Sequence, residues 1–252
     1  MDEKIAHLPD KSKNTVSQFS QALIEAFGTN LYSLILFGSA ARSSKDEIKD
    51  NFKEGASDIN TAIVLETVGA HELNIISNIG RKFKKSGLAI PLVFKRGHIA
   101  SSLDTFPLEF SDMKQTHIVL FGADPLAEAK IENKNLRYQC EAQLKGQLVQ
   151  LRRGFLASGE SVEALTHLIS ASVTSILAAC RGMALLAGKT PPEAKRDLLK
   201  LIGEHYNVDV APVSEAWQLR RGDITHSTAT MEMLMDKYLT TIEELAEVVD
   251  KM

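Results

Sequence analysis

Two stretches decide how this chain reads: LYSLILFGSA at residues 31–40 and SDINTAIVL at residues 57–65. Leu31 to Phe37 is an apolar run closed by Gly38 and Ser39, and Ile59 to Leu65 is a second such run preceded by Asp58. Apolar runs of this length, bounded by glycine and polar residues, predict buried strands. A polar connection from Arg42 to Ser57 lies between them, with 18 residues separating Ser39 from Asp58, and it reads as an added loop over the strand ends. A Gly-Ser step at a strand end lets the backbone approach a phosphate, and the serine hydroxyl and following amides can donate to its oxygens. Asp58 and Asn60 are two residues apart, so on an extended strand they leave the same face and can address one ion. A third oxygen ligand from a neighbouring strand would complete a Mg²⁺ site, since magnesium takes a few hard protein oxygens together with water and substrate phosphates. Glu109, in FPLEF at residues 106–110, is the residue expected to supply it. Asp112 lies three positions on and would face the opposite side of a regular strand.

The rest of the chain falls into place around this pair of strands. Upstream, Val16, Phe19, Leu23 and Phe27 keep a helical stripe that Gly28 ends. Downstream, a helix runs through Leu73, Ile76 and Phe83, and three further strands are expected at Ile90 to Phe94, Pro107 to Met113 and His117 to Phe121. Strands interleaved with helices make residues 1–130 an α/β or α+β domain. From Asn135 onward the pattern is helical, in segments Leu136 to Leu156, Val162 to Leu186, Glu193 to Tyr206, a short piece around Trp217, and Met231 to Val249. Residues 131–252 are therefore expected to form an all-α helical bundle. The fold class predicted for the whole is α+β, a mixed sheet with flanking helices followed by that bundle.

The hydrophobic strand, Gly38-Ser39, spacer, Asp58-Ile59-Asn60 and later Glu109 together resemble the signature of the nucleotidyltransferase superfamily of DNA polymerase beta type. Within it they resemble the kanamycin and streptomycin nucleotidyltransferase-like proteins. The likeness covers residues 31 to 126, and the stretches PLEFSDM and HIVLFGADPL look like the family's third-acid strand and the strand after it. The resemblance implies that Gly38 and Ser39 hold a triphosphate with Arg42 nearby, while Asp58, Asn60 and Glu109 hold Mg²⁺. It implies in-line transfer of a nucleoside monophosphate, from a nucleoside triphosphate such as ATP, to a hydroxyl acceptor on a small molecule or protein, with Asp58 and Glu109 catalytic. The sequence departs from the family at Asn60, where a second acid is usual. An amide offers one neutral oxygen where a carboxylate offers two charged ones, so it bridges metals less well. Two readings follow: a transferase, or a catalytically degenerate relative that binds nucleotide or a partner without turnover.

A second pattern lies in LRRGDITH at residues 219–226, where four residues separate Arg221 from His226. It resembles the arginine-histidine motif of HEPN-type helical domains, some of which are ribonucleases, with the arginine holding a phosphate and the histidine moving a proton. The plainer alternative pairs Arg221 with an acid and puts His226 in the first turn of a helix. Basic residues also crowd at Arg81, Lys82, Lys84, Lys85, Lys95 and Arg96, where a solvated helix end is the simplest explanation.

Composition narrows the function classes. The 29 basic and 32 acidic side chains give a net charge of -3, split evenly between the two halves, which argues against coating nucleic acid or an anionic membrane. The two cysteines, Cys140 and Cys180, sit in helical patterns and are expected to be buried reduced thiols. The polar start MDEKIAHLPDKSK lacks a signal-peptide core, and no later run is expected to reach the roughly 20 apolar residues that cross a bilayer. A cytoplasmic protein is expected, without membrane or nucleic-acid partners and compatible with a homodimer.

Overall fold

The computed structural model describes residues 2–41, 58–159 and 161–252. The chain divides into two compact units, Met1–Ile131 and Glu132–Met252. The molecule is α+β: the described strands form one mixed sheet in the first unit, and the second unit is helical.

In the first unit α1 (Asp10–Phe27) leads into β1 (Leu31–Phe37), and β2 (Asn60–Leu65) precedes α2 (Ala70–Phe83). After them come β3 (Leu92–Lys95), a short α3 (His98–Ser101), α4 (Pro107–Gln115) and β4 (His117–Gly122). The strand order is β3-β2-β1-β4; β1 is antiparallel to β2 and β4, and β2 is parallel to β3. Alternation along the central strands splits the core between two faces. Leu34, Leu36, Ile63 and Leu65 pack with Val16, Phe19 and Leu23 of α1 and with Ile76 and Ile79 of α2. On the other face Ile35, Ala62 and Val64 meet Phe110 and Met113 of α4 together with Leu126. Fully burying each of the larger side chains contributes about 1.5–3 kcal/mol, so both faces of the sheet are held by helices. Gly122 closes β4 at φ +76°, where a β-carbon would overlap the Tyr32 carbonyl oxygen, so the bulged β1–β4 pairing admits only glycine there.

One expected strand is a helix. Pro107–Gln115 forms α4, with Pro107 in its first turn, where a fixed φ and a missing N–H cost nothing. The Phe110 amide donates to the Phe106 carbonyl at 3.1 Å. Leu108 with Ser111, and Phe110 with Met113, are buried pairs three residues apart, so the same apolar letters that suggested alternation also satisfy a helical repeat.

The second unit consists of α5 (Asn133–Ser158), α6 (Val162–Leu186), α7 (Lys195–Tyr206), α8 (Ala211–Arg221) and α9 (Thr228–Asp250). On α5 the buried Leu136, Cys140, Leu144, Leu148 and Leu151 make one stripe, which packs against α6 and α9. Gly159, in the left-handed region, ends α5, and the Ser161 hydroxyl caps α6 by accepting from the Ala164 amide at 3.2 Å. Contrary to expectation, Val162–Leu186 is long and apolar enough to cross a membrane. More than half of its most apolar stretch is buried inside the protein, as in the core helix of a bundle. Leu165, Ile169, Val173, Ile176, Cys180 and Met183 are among its buried residues, while small polar Thr166, Ser170 and Thr174 interrupt the remaining surface.

Candidate functional site

The site is built at one end of the β1–β2 ladder. Phe37 stands opposite Asn60 on β2 and opposite His117 on β4, so the three side chains form one row across the sheet on one face. Past Phe37 the chain turns at Gly38, φ +73°, into a single 3-10 turn, Gly38–Ala41. A β-carbon on Gly38 would lie 3.5 Å from Nδ2 of Asn60, so the turn lies directly against that amide. Ala40 and Ala41 are buried, and Nε2 of His7 lies 3.0 Å from the Ala40 carbonyl oxygen, which ties the turn to the N-terminal segment. Ser39 is half-buried within this turn.

Asp58 is exposed and sits two residues before Asn60. The intervening Ile59 bridges to Leu88: its amide donates to the Gly87 carbonyl at 2.8 Å, and its carbonyl accepts from the Ala89 amide at 3.1 Å. The carboxylate is therefore carried on backbone that is pinned on its far side. Asn60, Gly38 and Ser39 are thus brought together, with Asp58 next along the chain.

Glu109 is placed differently from the expectation. It is exposed in the first turn of α4 and not on a strand. Besides β1, the strand that adjoins β2 is β3, whose residues Leu92, Val93, Phe94 and Lys95 include no acid, while β4 adjoins β1. On a helix Glu109 and Asp112 are neighbours three residues apart, so strand geometry no longer separates them. Arg42, with the connection running to Ser57, lies outside the described residues. Among the described residues no group of three or more His, Cys, Asp or Glu side chains converges as a metal site.

Two histidines join the site that residue spacing did not disclose. His7 reaches Ala40 across 33 residues, and no local pattern announces that contact. His117 becomes visible only through its register with Phe37; its Nδ1 lies 2.9 Å from the Met113 carbonyl oxygen and its Nε2 3.1 Å from Asp124 Oδ1. A carbonyl oxygen only accepts, so Nδ1 is the donor there, which fixes the ring at the α4–β4 junction.

In the second unit Arg221 Nε lies 2.9 Å from Asp223 Oδ2, and His226 Nε2 lies 3.0 Å from Glu215 Oε1 at an angle that makes no hydrogen bond. His226 stands just before Ser227, the cap of α9, and not inside a helix. Each residue of the arginine-histidine pattern thus faces an acid. Among the other basic residues, Arg96 pairs with Glu66 at 2.7 Å and lies over the Tyr32 ring at 4.4 Å, whereas Arg81 and Lys84 line a cleft beside α2. No protein-family model matches the chain, and no curated protein matches it.

Proposed function

We propose that the first unit is a nucleotidyltransferase-like module that binds a nucleoside triphosphate with Mg²⁺ at the Gly38–Ser39 turn, as a degenerate relative without efficient transfer. The observation that carries this reading is the apposition of the Gly38 turn to Asn60, two residues after Asp58. A left-handed glycine followed by a serine exposes amides and a hydroxyl, the donors that a polyphosphate needs. The donor set of Asp58, Asn60 and Glu109 consists of hard oxygens and suits Mg²⁺, which when bound would neutralise part of the phosphate charge. With an amide at position 60 and no acid on β3, that set has less charge than a bridging pair of metals requires. Binding with slow turnover follows from this balance.

The test is equilibrium binding of ATP to the full chain in Mg²⁺ and in EDTA. Affinity should be higher with Mg²⁺ and at least about tenfold lower in Asp58→Ala, the loss of one charged ligand being worth on the order of 1.5–3 kcal/mol. Little pyrophosphate should be released. Metal-independent binding that ignores Asp58→Ala would overturn the reading.

A second reading, transfer of a nucleotidyl group to a hydroxyl acceptor, is supported by the position of α4. Phe110 and Met113 pack on the face of Ala62 and Val64, the face that Asn60 shares, so Glu109 rides on the helix covering that face. Pyrophosphate release by the native chain, lost in Glu109→Gln, would select this reading over the first.

A further inference from the structure

Beside α2 lies a cleft of about 560 Å³ whose walls are mostly aliphatic. Leu73 and Ile76 on α2 and Ile90 and Val93 at the β3 end provide its apolar surface. Ile90 is 95% exposed and Leu73 47%, and Leu92 nearby is also exposed. Single exposed aliphatic residues are common, but several gathered around one concavity mark a binding surface. The walls are firm, because residues 87–89 are bonded to Ile59 and α2 is anchored through Ile76 and Ile79 in the core.

The charge of the lining is mixed in a directional way. Arg81 and Lys84 line the cleft and Lys82 and Lys85 adjoin them in sequence, and among the described residues Asp58 is the one carboxylate in the lining. Arg81 donates one hydrogen bond to Asn78 Oδ1 at 2.7 Å, which leaves most of its donors for another acceptor. Among the described residues the lining includes no aromatic side chain for a heterocyclic base to stack on, whereas an aliphatic chain would find matching walls. A concave cleft also suits one molecule better than a flat bilayer.

We propose that this cleft binds a single-chain aliphatic carboxylate, with its chain between Leu73, Ile76, Ile90 and Val93 and its head on Arg81 and Lys84. This binding is independent of the nucleotide reading. Asp58 belongs to both surroundings with opposite effect: it serves a metal-bound polyphosphate and repels a free carboxylate.

The test is calorimetric titration of the full chain with hexanoate, octanoate and decanoate, with decyltrimethylammonium as a probe of the same chain and opposite charge. Affinity should rise about two- to fourfold per added methylene, and the cationic probe should bind more weakly than decanoate. Gly80→Leu places a side chain on a helical position with open space around it, so the fold is kept while the cleft is filled, and decanoate binding should be lost. Arg81→Gln with Lys84→Gln should weaken decanoate about tenfold, whereas Asp58→Ala should strengthen it even as it weakens Mg²⁺-ATP. Affinity that does not change with chain length, or decanoate binding that survives Gly80→Leu, would overturn the proposal. Binding to anionic vesicles without binding of free decanoate would overturn it equally.

Discussion

Gly38 faces Asn60 across the end of the β1–β2 ladder: a β-carbon on the glycine would sit 3.5 Å from the amide nitrogen of the asparagine. That separation is an ordinary van der Waals contact, so space alone does not demand glycine. The backbone does, because φ is +73° at this position. Gly38→Ala should therefore destabilise the first unit by about 1–2 kcal/mol and lower ATP affinity, as read by urea denaturation and ligand titration. A variant as stable as the native chain would show that the turn relaxes without loss.

Asn60→Asp restores a carboxylate beside the glycine turn. One added negative charge near a divalent cation in a partly solvated site is worth roughly 1 kcal/mol or more, so Mg²⁺-dependent ATP binding should tighten about fivefold. Titration of Mg²⁺ at fixed ATP measures this directly. Unchanged Mg²⁺ dependence would mean that position 60 does not address the metal.

The second unit has an asymmetric buried hydrogen bond. Ser172 Oγ and Tyr238 Oη are 3.0 Å apart, and Ser172 also bonds the Ile169 carbonyl at 2.8 Å. Tyr238→Phe leaves the serine with a partner and should cost about 1 kcal/mol, whereas Ser172→Ala strands a buried phenol and should cost about 1–3 kcal/mol. Chemical denaturation of the two variants should rank them in that order, and the reverse order would contradict the assignment of partners.

Alkaline pH should weaken the second unit. Burial pushes the Cys140 and Cys180 thiols up to about 12, and burial raises the Tyr238 phenol as well. The folded chain keeps protons that the unfolded chain releases from about pH 8.5 upward, so stability is complete below that range and falls as pH climbs toward 12. Each such group contributes a slope of up to about 1.4 kcal/mol per pH unit. Denaturation midpoints at pH 8 and pH 10.5 should differ, and Cys180→Ala should flatten the difference. Equal slopes in native and variant would remove this thiol as a source.

The central strands were legible because their letters admit one reading. Leu31 to Phe37 is an apolar run of strand length, is closed by glycine, and is β1 residue for residue. The α1 stripe was equally plain, since Val16, Phe19, Leu23 and Phe27 repeat at helical spacing and are all buried. Pro107 to Met113 was ambiguous, because leucine, phenylalanine and methionine at 108, 110 and 113 fit both periods, and proline at a first turn was the deciding signal. Reading these letters as a strand puts Glu109 on the sheet, whereas the helix carries it on α4. The roles of His7 and His117 depend on pairings across 33 residues and across two strands, and no residue pattern encodes such contacts. Arg81 and Lys84 looked like a solvated helix end because the apolar wall facing them comes from Ile90 and Val93, in another element.

The most direct measurement is a backbone amide NMR titration of the full chain with Mg²⁺-ATP. Gly38, Ser39 and Asn60 should shift together and saturate at one ligand concentration, and in Asp58→Ala the same amides should need at least about tenfold more ligand to shift. Shifts confined to other residues, or none at all, would contradict a polyphosphate site at the glycine turn.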